Sequence, residues 1–168
     1  EFRFQIDDSY QIIRECSQTK KHYNGQLKQL VFLPFYHIFG LVAVYIWFAF
    51  FSRTFVQLND LAPQTIVGTI RRHEVTHIFA VPLFWQTVYE QAIKTIHARG
   101  EKTEKKFEKA LRLSCAVGGV PGLRSAFRRL AFREVRENLF GESICFMITG
   151  GSEIPTRVLE FFNGIGYH

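Results

Sequence analysis

The run Leu30–Phe51, LVFLPFYHIFGLVAVYIWFAFF, constrains this chain more than any other stretch. It is almost wholly apolar and long enough to cross a membrane. Its interior argues for a different use. Pro34 removes a backbone donor, His37 would be costly in hydrocarbon, and Gly40 interrupts the apolar run again three residues later. The pattern therefore predicts two elements rather than one span. Leu30–Leu33 reads as a short buried strand, Pro34–Gly40 as a turn, and Leu41–Phe51 as an apolar helix or buried segment. Open α/β sheets bind ligands at turns after parallel strands. His37, flanked by Tyr36 and Phe39, is accordingly expected at the mouth of a pocket.

Composition places the chain among globular proteins. Of its 168 residues 47% are apolar and 21% charged, which excludes a disordered segment. The 18 phenylalanines imply either a large aromatic core or a pocket for a greasy ligand. Cys16, Cys115 and Cys145 form no CxxC pair, as expected of reduced thiols in a cytoplasmic protein. The opening Glu1-Phe2-Arg3 has neither an initiating Met nor a signal-peptide pattern, which reads as a piece of a longer protein. Net charge is +6 but uneven. Lys94–Arg136 holds twelve basic residues against four acidic ones, so the remainder of the chain is slightly acidic. Such a block can meet nucleic acid, anionic lipid or a phosphorylated ligand, or it can simply be a solvated helix face.

Strand and helix patterns alternate along the sequence. Phe4–Lys21 reads as a helix closed by Asn24-Gly25, and Thr54–Leu58 as a second strand. Asn59 and Asp60 are capping candidates, with Pro63 suited to the first turn of a helix that runs to about Glu74 with Ile66, Val67 and Ile70 inward. Thr76–Val81 is a third strand. Phe84, Val88, Ala92 and Ile96 form one helical row, and Trp85, Tyr89 and Ile93 a second beside it. Arg99–Lys109 is an exposed loop or helix, and Gly118–Gly122 a linker. Leu123–Leu139 reads as one amphipathic helix with Arg124, Arg128 and Arg136 on its wet side. Ser143–Ile148 is a fourth strand, and Ile154–Phe162 begins a last helix. This alternation predicts an α/β fold built on a parallel sheet.

Two short motifs carry possible chemistry. His73-Glu74-Val75-Thr76-His77 matches HExxH, which binds zinc only on a helix, where both histidines share a face. Here Val75 and Thr76 are β-branched and a strand pattern comes next, so the two are expected to be surface and strand-edge histidines, with no metal bound. Gly150-Gly151 comes after an apolar strand and precedes a helix, where a flat or phosphorylated ligand can approach the backbone.

Taken in order, several segments resemble one family, the adenylate-forming acyl-CoA synthetases. LPFYHIFG is similar to their LPLxHxFG segment. EVTHIFAVPLFW is similar to VTHxxxVPxxW, with Val81, Pro82 and Trp85 in place. FREVRENLFGESICFMITGGSEIPTRVLEFFNGIG is similar to the VRxxLG…GGAPL…FFxxxG segment. The matches span about Val31 to His168, and the long basic stretch between the VP and GG segments resembles the long-chain fatty acid–CoA ligase branch. The resemblance implies that residues 1–168 are one internal fragment of the large amino-terminal domain. The family's phosphate loop would precede Glu1 and its YGxTE segment would come after His168. Ser152 stands where the family has Ala, and Glu153 where it has Pro.

The resemblance also implies an activity. The family activates a carboxylate with ATP and Mg2+, forming an acyl-adenylate, and passes the acyl group to coenzyme A. His37 would then lie beside the reacting carboxylate as the catalytic residue, and Gly150, Gly151 and Ser152 would form a strip against the adenine of ATP or AMP. Phe35, Tyr36, Ile38, Phe39, Phe84 and Trp85 would wall the pocket for a fatty acid substrate. The isolated fragment is expected to be inactive. The basic block implies at most weak peripheral contact with anionic membrane and no nucleic acid partner. Two alternatives stay open on the residues alone: a basic binding module for nucleic acid or membrane, and a zinc hydrolase acting through His73 and His77.

Overall fold

Lys28–Val31 forms the strand, β1, against which two others are laid down. The structure is a computed structural model and describes residues 27–46, 54–116 and 121–167. Gln29, Leu30 and Val31 are all buried, as expected of an inner strand covered on both faces. Beside it run β2 (Thr54–Gln57) and β3 (His77–Ala80), both parallel to it, with Leu30 opposite Val56 on one side and Ile78 on the other. With β4 (Phe146–Thr149) they make a four-stranded parallel sheet of order β2-β1-β3-β4. The fold is thus the α/β class that the alternation predicts.

The described residues divide into two units. The first runs to Phe79 and takes in Ser143–Ile148, and the second comprises Ala80–Glu142 with the chain from Thr149 onward. In the first, Leu27, Val31, Val44 and Phe79 form a core on which Leu33, Phe39 and Ile148 pack. Helix α1 (Pro63–His73) has Pro63 in its first turn, and its Ile66 and Ile70 are buried. The Asp60 carboxylate accepts from the Ala62 N–H at 2.6 Å and from the Thr65 hydroxyl at 3.0 Å, which ties down the helix entry. Glu74 ends the helix in the left-handed conformation, φ 51°. Thr76 then joins β3 to β1: its N–H donates to the Lys28 carbonyl at 2.8 Å, and its hydroxyl accepts from the Lys28 N–H at 2.9 Å.

The second unit is helical: α2 (Pro82–Ala98), α3 (Glu101–Ala116), α4 (Pro121–Ala131), α5 (Arg133–Leu139) and α6 (Thr156–Ile165). Its interior is aromatic. Trp85 meets Phe84, Phe140 and Phe162 edge-on, with centroids 5.0, 6.3 and 5.8 Å away. Edge-to-face rings at these separations add attraction beyond the area they bury. Among the described phenylalanines, Phe79, Phe132, Phe140, Phe161 and Phe162 are buried as core.

Several expectations are corrected. Strand and helix do not alternate throughout, because four helices intervene between β3 and β4. The first strand lies at Lys28–Val31, so Phe32 and Leu33 belong to the turn. The last strand begins at Phe146, not Ser143. Pro121 and Gly122 open α4 and are not linker, since proline without its N–H suits a first helical turn. The helix expected over Leu123–Leu139 is two. It breaks at Phe132, which leaves helical geometry (φ −115°, ψ 15°) with its ring buried against Phe107 at 5.6 Å. The helix expected over Phe4–Lys21 lies outside the described residues, as does the end of the segment Leu41–Phe51.

The largest correction concerns the arginines of that region. Arg128 and Arg136 are buried, not on a wet face. Arg128 Nε donates to the Ser114 hydroxyl at 2.8 Å, and that hydroxyl donates to the Gly164 carbonyl at 2.6 Å. Arg136 pairs with Glu142 at 2.9 Å, and its guanidinium carbon lies 4.9 Å from the Tyr167 ring centroid. A buried guanidinium needs such partners to offset its lost hydration. The Tyr167 hydroxyl donates to the Gly141 carbonyl at 2.9 Å, and burial pushes its pKa well up. Tyr167→Phe should therefore cost about 1–2 kcal/mol, the loss of a buried hydrogen bond whose acceptor is left in the interior. Urea denaturation with an unchanged m value would measure it; a cost below about 0.3 kcal/mol would show that the bond contributes nothing net.

Candidate active site at the carboxyl edge of the sheet

The sheet order reverses at β1: β2 lies on one side of it and β3 on the other. In open parallel sheets the crevice at such a reversal, outside the carboxyl ends of the strands, is the usual ligand site. The chain leaving β1 there is Phe32–Phe39. Its course is fixed by backbone contacts. The His37 N–H donates to the Pro34 carbonyl at 3.1 Å, and the His37 carbonyl accepts from the Leu41 N–H at 2.9 Å. Gly40 closes the turn. A Cβ at position 40 would lie 2.2 Å from the Pro34 carbonyl oxygen and 2.9 Å from its carbon, so no side chain fits. From Gly40 the chain winds as a π-helix to Ile46, placing Val44 in the core. Such wide turns are rare and concentrate at functional sites.

This scaffold presents His37 to solvent, and its ring makes no hydrogen bond among the described residues. Tyr36 is 92% exposed and Ile38 59%, with Phe35 also at the surface and Phe39 packed inward on Phe79. Phe35 stands 5.3 Å from Tyr45, which stacks on Phe55 at 6.0 Å. A shallow cavity of about 280 Å³ opens at the carboxyl ends of β1 and β2, between Phe32–Phe35 and Leu58–Leu61. Of the expected pocket wall, Phe35 alone is among its lining residues. The cavity has no signal in the sequence, because the approach of Leu58–Leu61 depends on strand pairing.

The other expected residues belong to the second unit. Gly150 is half-buried after β4, whereas Gly151 and Ser152 are exposed. Gly151 adopts φ +94°, a conformation that side chains disfavour, and nothing lies within 4 Å of where its Cβ would be. The backbone there is open to a flat ligand. Thr149 Oγ1, one residue earlier, is buried without a hydrogen-bond partner. Phe84 is half-buried, but Trp85, 2% exposed and surrounded by three rings, is packed as core.

HEVTH is split as its β-branched residues predict. His73 is exposed at the last turn of α1, Glu74 is left-handed, and His77 opens β3. His77 departs from the expectation of a strand-edge histidine. It is fully buried on an inner strand, with Nδ1 2.8 Å from the Thr76 hydroxyl and its ring against Phe146. Among the described residues no group of three His, Cys, Asp or Glu could hold a metal ion. Cys145 is a free, half-buried thiol whose pKa is pushed up by burial, which suits an inert cysteine.

Comparison with known proteins gives two matches. The family model described as "AMP-binding enzyme" matches residues 8–168. Among solved structures, o-succinylbenzoate coenzyme A synthetase (MenE) from Bacillus subtilis, in complex with ATP and magnesium ion, is similar at a TM-score of 0.51 and 20% identity. The alignment covers 99% of this chain and 24% of that one, so the chain spans about a quarter of its length. At this identity the likeness shows the fold, that of an adenylate-forming enzyme's amino-terminal domain. No curated protein sequence matches the chain.

The turn and the split motif can each be tested. Gly40→Ala should destabilise by about 1–3 kcal/mol, because Pro34 must move. Gly68→Ala, inside α1 with nothing within 4 Å of its Cβ, should stabilise by about 0.5–1 kcal/mol. Equal effects of the two in thermal denaturation would refute the close approach at Gly40. Elemental analysis of the purified protein should find no stoichiometric zinc; one zinc per chain that disappears in His73→Ala would reverse that expectation.

Proposed function

The chain belongs to the AMP-binding enzyme family, and on that premise we propose that it is an internal part of the amino-terminal domain of an ATP-dependent acyl-CoA ligase. The whole protein would activate a fatty acid as its acyl-adenylate and transfer the acyl group to coenzyme A. The observation that carries this reading is the turn Pro34–Gly40. It leaves β1 where the sheet order reverses, and it holds an exposed histidine on a backbone pinned at both ends. Preorganisation of this kind lowers the cost of orienting a reacting group. The His37 ring would hydrogen-bond the substrate carboxylate and keep its oxygen in line for attack on phosphorus.

The remaining roles rest on exposure. Phe35, Tyr36 and Ile38 set large apolar surfaces in water on one turn, an arrangement that favours a ligand covering them. With Phe39 they are proposed as the wall for the acyl group, and Phe84 as a further wall residue. Trp85 is assigned to packing. Gly150, Gly151 and Ser152 are proposed to lie against adenine. ATP with Mg2+ supplies the activating phosphoryl chemistry when bound, and no ligand set for the metal is assigned to the described residues. The long basic stretch between the VP and GG segments supports a long-chain fatty acid as substrate. The name of the structural neighbour raises an aromatic acid as the competing class. Coenzyme A as acceptor rests on the family and on that neighbour's name. A cytoplasmic setting rests on composition; among the described residues no helix is long and apolar enough to cross a membrane.

ATP–pyrophosphate exchange tests this reading. The full-length protein should catalyse exchange dependent on a long-chain fatty acid, and residues 1–168 alone should not. Exchange by the isolated chain would mean that the chemistry has been placed wrongly, and exchange with o-succinylbenzoate but not palmitate would replace the substrate class. His37→Ala should lower kcat of the full-length enzyme by on the order of ten- to a thousandfold, with KM changed less. Its thermal midpoint should stay within a degree or two, because the ring is exposed. A drop of several degrees with the rate per folded molecule intact would make His37 structural.

A further inference from the structure

The basic block Lys94–Arg136 is the part of the sequence that the proposed chemistry does not use, and the structure divides its charges into two sets. Arg99, Lys105, Arg112, Arg129, Arg133 and Arg136 each lie within 4 Å of a carboxylate. Arg128 is buried on Ser114. Lys94 on α2 and Lys102, Lys106 and Lys109 on α3 are exposed and have no ion-pair partner among the described residues. The three on α3 are spaced four and three residues apart, so they share one helix face. Leu113 continues the same row four residues on and is 47% exposed. A shallow groove of about 250 Å³ runs along this side of α3, lined by Lys105, Glu108, Lys109, Arg112 and Leu113. The opposite face of the helix is turned inward through Phe107, Leu111 and Ser114.

We infer that this outer face of α3 docks the protein on an anionic lipid bilayer, with Lys102, Lys106 and Lys109 among the headgroups and Leu113 at the boundary with the acyl chains. Three features favour lipid. The unpaired charge is all of one sign, so the face complements an anionic surface. It consists of lysines, which act as point charges on long stems and need no fixed acceptor geometry. A large apolar residue lies in line with them, where a bilayer offers an apolar layer directly beneath its phosphates. The phosphate backbone of a nucleic acid offers no comparable apolar layer for Leu113. The inference goes beyond the ligase reading and does not depend on it, since the face would bind vesicles whatever reaction the protein performs.

Each lysine near an anionic membrane surface strengthens partitioning about fivefold, so three contribute on the order of a hundredfold. The effect should fade with salt, because screening at physiological ionic strength acts over about 8 Å. The test is co-sedimentation of the full-length protein with vesicles of phosphatidylcholine, with and without phosphatidylserine. Wild type should bind only the anionic vesicles and be released by salt. The triple variant K102Q/K106Q/K109Q should lose on the order of a hundredfold in partition coefficient, and K106Q alone about fivefold. Lys105→Gln, whose partner is Glu101, should change binding less than K106Q. Leu113→Ser should weaken binding without changing the salt slope. The exposed positions leave folding intact, which circular dichroism checks for each variant, and K106Q carries the test if the triple variant misfolds. Failure of wild type to bind anionic vesicles, binding unaffected by the lysine substitutions, or tighter binding of the same face to duplex DNA than to vesicles would each overturn the proposal.

Discussion

The contact between Gly40 and the Pro34 carbonyl holds the candidate site together. Two backbone segments approach so closely that a single methyl group would have to overlap an oxygen. The same carbonyl accepts the His37 N–H, so one peptide group receives both the turn's hydrogen bond and its tightest packing contact. The histidine can therefore stand in solvent without being loosely held. The backbone that carries the ring is fixed by these contacts, while the ring itself has no hydrogen-bond partner among the described residues. That leaves both ring nitrogens available to a ligand, which a histidine fixed by side-chain partners could not offer.

The second unit relies on a different device. Two arginines of its helices, Arg128 and Arg136, are turned inward. Each is accommodated by a distinct set of partners: Ser114 for Arg128, and Glu142 with the Tyr167 ring for Arg136. Both sets lead to the turn after α6. Ser114 donates to Gly164, and at Gly166 (φ +99°) a Cβ would meet Arg136 at 3.0 Å and Arg128 at 3.3 Å. Buried ion pairs are weak as a source of net stability, because desolvation cancels most of the attraction. Their effect here is positional: they set where the chain leaves α6. Lys102, Lys106 and Lys109, on the outside of α3, take no part in this internal pairing.

Much of the fold is legible in the residues. The turn Pro34–Gly40, the Asp60 and Pro63 entry to α1, the helix-to-strand switch within HEVTH and the glycine pair after β4 are all written in local chemistry. Proline, glycine and β-branched residues restrict backbone angles whatever lies around them. The family resemblance rests on the same punctuating residues, and the family match bears it out as far as an AMP-binding enzyme. Substrate class is another matter, because it depends on cavity shape, which no short motif records.

Burial is the property that the residues do not disclose. Arg128 and Arg136 repeat at helical spacing among apolar residues in a way that reads as a wet face, yet the packing of α6 and the turn after it encloses them. His77 reads as a strand-edge residue until β1 and β4 are placed on either side of β3. Phe132 leaves a continuous helical pattern at the position where its buried ring packs against Phe107. Trp85 and Tyr36 look alike as aromatic pocket candidates, and only their surroundings make one core and the other surface. Where the backbone can turn is a property of each residue and its neighbours in the chain, so the amino-acid order settles it. Which side chains face water is settled by contacts between residues far apart in the chain, where free energy depends on the group that packing sets opposite.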